Sequence, residues 1–154
     1  MVGVRTHSLA NPLAVITLAL VTTHCGRKGD PIPRPRAAAQ AMDVQVSGPR
    51  TLKLVLPARD ITGATLVGVE MVRVLYLPLG MAKPSSEEVA GRGEVVLERR
   101  RPDLPGPGDA LELDLSSLTR PPGWLVVVPV RLGNVPGQPS EVLPWLDPVL
   151  TQRP

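Results

Sequence analysis

"TLKLVLP", residues 51–57, alternates leucine with other residues until a proline stops it. Successive side chains of an extended chain point to opposite faces, so Leu52, Leu54 and Leu56 line one side of a strand. The same period of two recurs on both sides of this run. "DVQVS" (43–47) precedes it and is separated from it by Gly48–Pro49. "TLVGVEMVRVLYL" (65–77) follows and is long enough to bend or carry a bulge. "EVVLERR" (94–100), "ALELDLSSL" (110–118), "WLVVVPVRL" (124–132) and "PSEVLPWL" (139–146) complete the series. Between them, "PLGMAKPSSEEVAGRG" and "RPDLPGPGD" are rich in turn formers and read as loops.

Composition agrees with this pattern. Nineteen prolines and fourteen glycines in 154 residues do not suit a helical bundle, since proline inside a helix costs about 3 kcal/mol. Apolar residues make up 43% of the chain but aromatics only 2%, so the core is built from Val and Leu, which favour strands. Seven short strands predict an all-β two-sheet sandwich over residues 42–147, with a half-barrel as the alternative. A short tail, 148–154, follows. Pro129 has no N–H to give to a ladder, so it predicts either a bulge or a position whose missing donor faces outward.

The sequence pI is about 9.6, but the basic excess is local. Arg27, Lys28, Arg34 and Arg36 face a single Asp30 in the arm 25–36, whereas from Met42 onward twelve Lys and Arg meet thirteen Asp and Glu. A nucleic-acid-binding domain carries its basic excess on the fold, often with aromatics for stacking. A nucleic-acid partner is therefore not expected.

The first 24 residues hold one cation, Arg5, before the apolar stretch Leu9–Val21. That stretch is shorter than the roughly 20 residues a spanning helix needs and fits the core of a secretory signal peptide. Cys25, the chain's one cysteine, follows it. A cysteine in this place resembles the attachment site of bacterial lipoproteins, and "CGRKGDPIPRP" is similar to the Cys-Gly-x-Lys-Gly-x-Pro opening of many small ones. Cys25, Gly26, Lys28, Gly29 and Pro31 match it. Thr22 and His24 stand where the family favours Leu and a small residue. The resemblance implies cleavage between His24 and Cys25, then a diacylglyceryl thioether and an N-acyl chain on Cys25, with no other cofactor. It also implies an outer-membrane location facing the periplasm, because Gly26 is not the acidic residue that retains such proteins at the inner membrane. Physical chemistry points the same way. A lone thiol in an oxidising compartment cannot pair within its chain. Two or three acyl chains anchor stably where one does not. "AAAQA" (37–41) is a second, more distant cleavage candidate.

Residues 25–41 combine proline, charge and "RAAAQA" without apolar periodicity, and read as a tether. Further on, "LELDLSSLTRPPGWLVVVPVRLGNVPGQPSEVL" (111–143) resembles the end of a fibronectin type III domain. Leu118, Pro122, Gly123, Trp124, Gly137 and Ser140 carry the likeness. Trp124 stands where that family has its corner tyrosine, and Val55 or Leu56 where it has its second-strand tryptophan.

Chemistry-bearing residues are sparse. His7 and His24 both precede Cys25, so the mature chain would hold no imidazole for nucleophile activation or zinc. Glu87 and Glu88 read as solvated loop charges. Glu112 and Asp114 share one strand face, too few oxygens for calcium. Ser85 and Ser86 near Lys83 miss the spacing of Ser-Lys enzymes. Arg99–Arg101 reads as a charged strand end. Gly106–Gly108 reads as a turn, since no helix follows it. The expectation is a non-catalytic, lipid-anchored binding or scaffolding protein whose partners are the membrane and other envelope proteins. The alternative is an assembly factor for lipopolysaccharide export acting through residues 25–36.

Overall fold

The computed structural model describes residues 36–80 and 82–146. Eight strands run in chain order: β1 (Asp43–Gly48), β2 (Thr51–Val55), β3 (Met71–Pro78), β4 (Glu94–Arg100), β5 (Ala110–Asp114), β6 (Gly123–Arg131), β7 (Val135–Pro136) and β8 (Leu143–Trp145). One helix, α1 (Ser86–Arg92), lies between β3 and β4. All pairings are antiparallel, in a three-stranded sheet of order β1-β2-β5 and a five-stranded sheet of order β4-β3-β6-β7, with β8 also on β6.

The alternating leucines do what their period demands. Leu52, Leu54 and Leu56 are buried beside Leu113 and Leu115, while Lys53 pairs across the outer face with Glu112. The opposing sheet contributes Val72, Val74, Tyr76, Leu125 and Val127, which close one continuous core between the layers. Apolar burial of this kind contributes roughly 25 cal/mol per Å² and is what holds two sheets face to face. The fold is therefore an all-β sandwich.

Three details depart from the sequence reading. The run 65–77 forms a strand only from Met71, because Gly68 at φ 125° breaks the extended path and Arg59 bridges Thr65 instead. The segment 78–93 is not all loop. Ser85 caps α1 by accepting from Glu88 N, and the helix buries Val89 completely. Val89 packs on Met71, Leu75, Val126 and Val128, so the outer face of the five-stranded sheet carries a second, smaller core. That explains why β6 is apolar without alternation: it is covered on both faces.

The tether also ends earlier than composition suggested. Ala39 is fully buried and Met42 nearly so. Ile61 N donates to Ala38 O (2.9 Å), Gln40 N to Arg59 O (3.2 Å) and Gln138 N to Ala39 O (2.9 Å). Short side chains let residues 36–41 lie against the loops of both sheets; small size, read as flexibility, is here a packing requirement. Residues 25–35 and the tail 148–154 lie outside the described residues.

Pro129 is accommodated at a break in the last strand. Gly137 N donates to Pro129 O (2.7 Å) and Ser140 N to Val127 O (2.9 Å), on the same edge of β6. The chain between them leaves the ladder, so no acceptor waits for a proline N–H. Ser140, 1% exposed, supplies the missing rung: its Oγ accepts from Val127 N (3.0 Å) and donates to Glu141 O (2.9 Å). Gly137 is required by close approach, since a Cβ there would sit 2.8 Å from Pro129 Cγ and 2.9 Å from Ala39 O.

Candidate functional site

At the pole where β6 ends, the first described residue, Arg36, donates from Nη1 to Leu132 O (3.1 Å). Arg131 donates to Ala37 O, which clamps the incoming chain against the end of β6. Arg101 crosses above Gly68 and donates from Nε to Val69 O (3.0 Å). The three guanidiniums line one cleft of about 360 Å³, together with Val67, Leu132 and Glu70. Val67 is 91% exposed and Leu132 58%. Each of the three cations is positioned by a backbone carbonyl and keeps further N–H donors for an anion.

The neighbouring arginines are placed differently. Glu98 accepts from Arg100 Nη2 (2.9 Å) and Arg73 Nε (2.8 Å), which holds its carboxyl below the ordinary range. Asp60, beside Ala39, accepts from Thr62 Oγ1 (2.6 Å) and from the amides of Thr62 and Ala64. Those bonds, the Thr62 hydroxyl foremost, lower its pKa, and the charge of Arg131 adds to the effect. Asp60 is thereby a fixed loop clasp and not a proton carrier.

The opposite pole is apolar. Leu52, Leu115, Leu125, Leu143 and Trp145 line a groove of about 280 Å³ between the sheets. Above it the chain crosses from one layer to the other, bonded by Tyr76 Oη to Pro121 O (3.0 Å) and Trp145 Nε1 to Arg120 O (3.2 Å). Burial raises the Tyr76 phenol pKa. Tyr76 and Trp145 make these bonds, and Trp124 makes neither. Trp124 Nε1 is buried without a hydrogen-bond partner among the described residues, beside Leu77, Lys83 and Glu88. Gly123 is forced by the Tyr76 ring, which occupies the space of a Cβ. Of the two candidates for the second-strand aromatic position, Leu56 faces the core and Val55 is 40% exposed.

The attachment residues His24, Cys25, Gly26, Lys28, Gly29 and Pro31 lie outside the described residues. The carboxylates fall apart in space. Glu87 and Glu88 occupy the first turn of α1, where they favour the positive end of the helix, and Glu88 pairs with Arg92 (2.7 Å). Glu112 and Asp114 do share the outer face of β5. Asp114 accepts from Ser116 Oγ and N (2.8 Å each), which lowers its pKa. No group of three His, Cys, Asp or Glu that could hold a metal occurs among the described residues. No helix among them is long and apolar enough to cross a membrane. The basic cleft escaped the sequence reading because Arg36, Arg101 and Arg131 come from three distant segments. The one local hint was that Arg101 closes the run Arg99–Arg101.

Fold and surface together define an antiparallel two-sheet sandwich with one basic and one apolar pole. The chain matches no protein-family model, no curated protein and no solved structure.

Proposed function

We propose that this chain is a lipid-anchored protein of the bacterial cell envelope, facing the periplasm from the outer membrane, and that its sandwich is a non-catalytic binding or scaffolding module. The observation that carries this reading is Cys25, placed directly after the apolar stretch Leu9–Val21 and at the head of Cys25-Gly26-Arg27-Lys28-Gly29-Asp30-Pro31. Processing before Cys25 would put acyl chains at the first residue of the mature protein. Residues 25–35 would then form the tether, about 3.1 Å per residue if extended, or at most some 34 Å of reach.

The finer fold reading is a fibronectin type III-like sandwich. It is supported by the division of strands, β1-β2-β5 against β4-β3-β6-β7, and by Leu118, Gly123, Gly137 and Ser140 at structurally demanding positions. Intact-mass analysis of the membrane-extracted protein tests the anchor. The expected species starts at Cys25 and carries acyl mass; a species that retains residues 1–24 overturns the reading. The Cys-Gly-x-Lys-Gly-x-Pro segment also supports a second role, in assembly of lipopolysaccharide export. Under it an anchored segment 25–36 alone retains function; under the first it does not.

A further inference from the structure

We infer that the pole formed by Arg36, Arg101, Arg131, Val67 and Leu132 docks on an anionic lipid surface. The argument begins with charge. The three guanidiniums share one cleft and are held by the carbonyls of Leu132, Val69 and Ala37. Glu98, in contrast, engages Arg73 and Arg100 next to them. Of the cleft-lining residues one, Glu70, is a carboxylate; Asp60, within reach of the Arg131 charge, is already bonded by Thr62 and Ala64. Three cations against these two leave the surface basic, although the sandwich as a whole is nearly neutral. Guanidinium forks match phosphate oxygens in geometry as well as charge.

The apolar neighbours select a membrane over a soluble anion. Val67, 91% exposed, and Leu132, 58% exposed, flank the arginines at the tip of the fold. A basic rim around protruding aliphatic side chains suits the boundary between headgroups and acyl chains. The described chain enters the fold at Arg36, inside this pole.

Because Cys25 is the chain's one cysteine, the full-length Cys25→Ser/Val67→Cys protein can carry a single polarity-sensitive fluorophore at position 67. Vesicles of phosphatidylcholine, alone or mixed equally with phosphatidylglycerol, are the probe. The expected result is a blue-shifted label on the mixed vesicles only, with a label at Leu79→Cys, beyond the far end of β3, unshifted. Converting Arg36, Arg101 and Arg131 to Gln lowers the partitioning read by label 67 about a hundredfold, since each basic residue adds roughly fivefold. Val67→Asp is a second variant, at a side chain too exposed to affect folding, and it also abolishes the shift at a label placed on Leu132→Cys. Equal shifts on both vesicle types, equal shifts at 67 and 79, or a shift that survives the Gln variant overturns the proposal. The unacylated protein is used throughout, so a failure here leaves the anchor reading standing, and a missing acyl mass leaves this one standing.

Discussion

Ser140 shows how one hydroxyl can stand in for a backbone group. Its Oγ meets Val127 N–H at a point where the last strand has left the ladder beside Pro129. Ser140→Ala strands that amide in the core, and a buried unsatisfied donor costs about 1–3 kcal/mol. The expected outcome is a lower urea midpoint with an unchanged slope, whereas a midpoint within error of the parent contradicts the role. Acidic side chains set a pH dependence at the same scale. Asp60, Asp114 and Glu98 all titrate below their ordinary values of 3.8, 3.8 and 4.5, because the fold bonds their ionised forms. Their contribution is complete above those values and disappears as pH falls through them to the lowered ones. Thermal midpoints should hold steady above about pH 5 and drop below about pH 4, and Asp60→Asn should shrink that drop. Tyr76 has the opposite sign. Burial favours its neutral form, so stability declines as pH climbs past 10.0.

Among the elements, α1 and the two-residue β7 are those that the period-of-two reading passed over. The seven residues of α1, Ser86–Arg92, are too few for an amphipathic repeat to declare itself. The signal was nevertheless present as Ser85-Ser86-Glu87-Glu88, a serine followed three residues later by glutamate. Isolated helices of this length do not persist in water, so α1 depends on Val89 against Leu75 and Val126. Val89→Ala should cost about 2 kcal/mol through lost burial and a residual cavity. Ser85→Ala should cost about 1 kcal/mol, and Ser85→Asp should restore most of it. Equilibrium urea unfolding distinguishes the three variants. The strands were legible because each buries one face and repeats every second residue. β3 began later than its apolar run because hydropathy does not register the φ of Gly68. The run read as the last strand, 139–146, pairs only at Leu143–Trp145 as β8, because Ser140 bonds across the sheet to Val127, out of reach of any local window.

Across the whole molecule, two layers enclose one core and a helix seals a second on the outer face of the larger sheet. The class of fold was legible, since alternation and turn spacing demand two facing sheets. The basic cleft was not, because three arginines separated by tens of residues become neighbours only once β6 and the loop before β3 converge. The proposed localisation rests on a separate segment and has its own prediction. Cys25→Ser should move the protein from the membrane pellet to the soluble fraction after carbonate washing, by loss of the acyl chains. Retention in the pellet contradicts the anchor.

The clamp on residues 36–41 has a mechanical corollary. Tension applied at the amino end enters the fold at Arg36 and is borne first by the bonds to Leu132, Arg131, Ile61, Arg59 and Gln138. None of these belongs to the ladders inside either sheet. A pull can therefore peel off six residues, about 20 Å of slack, before any strand pair is loaded. The entry segment would act as a strain relief, its six residues lengthening first while the sandwich behind it keeps its shape.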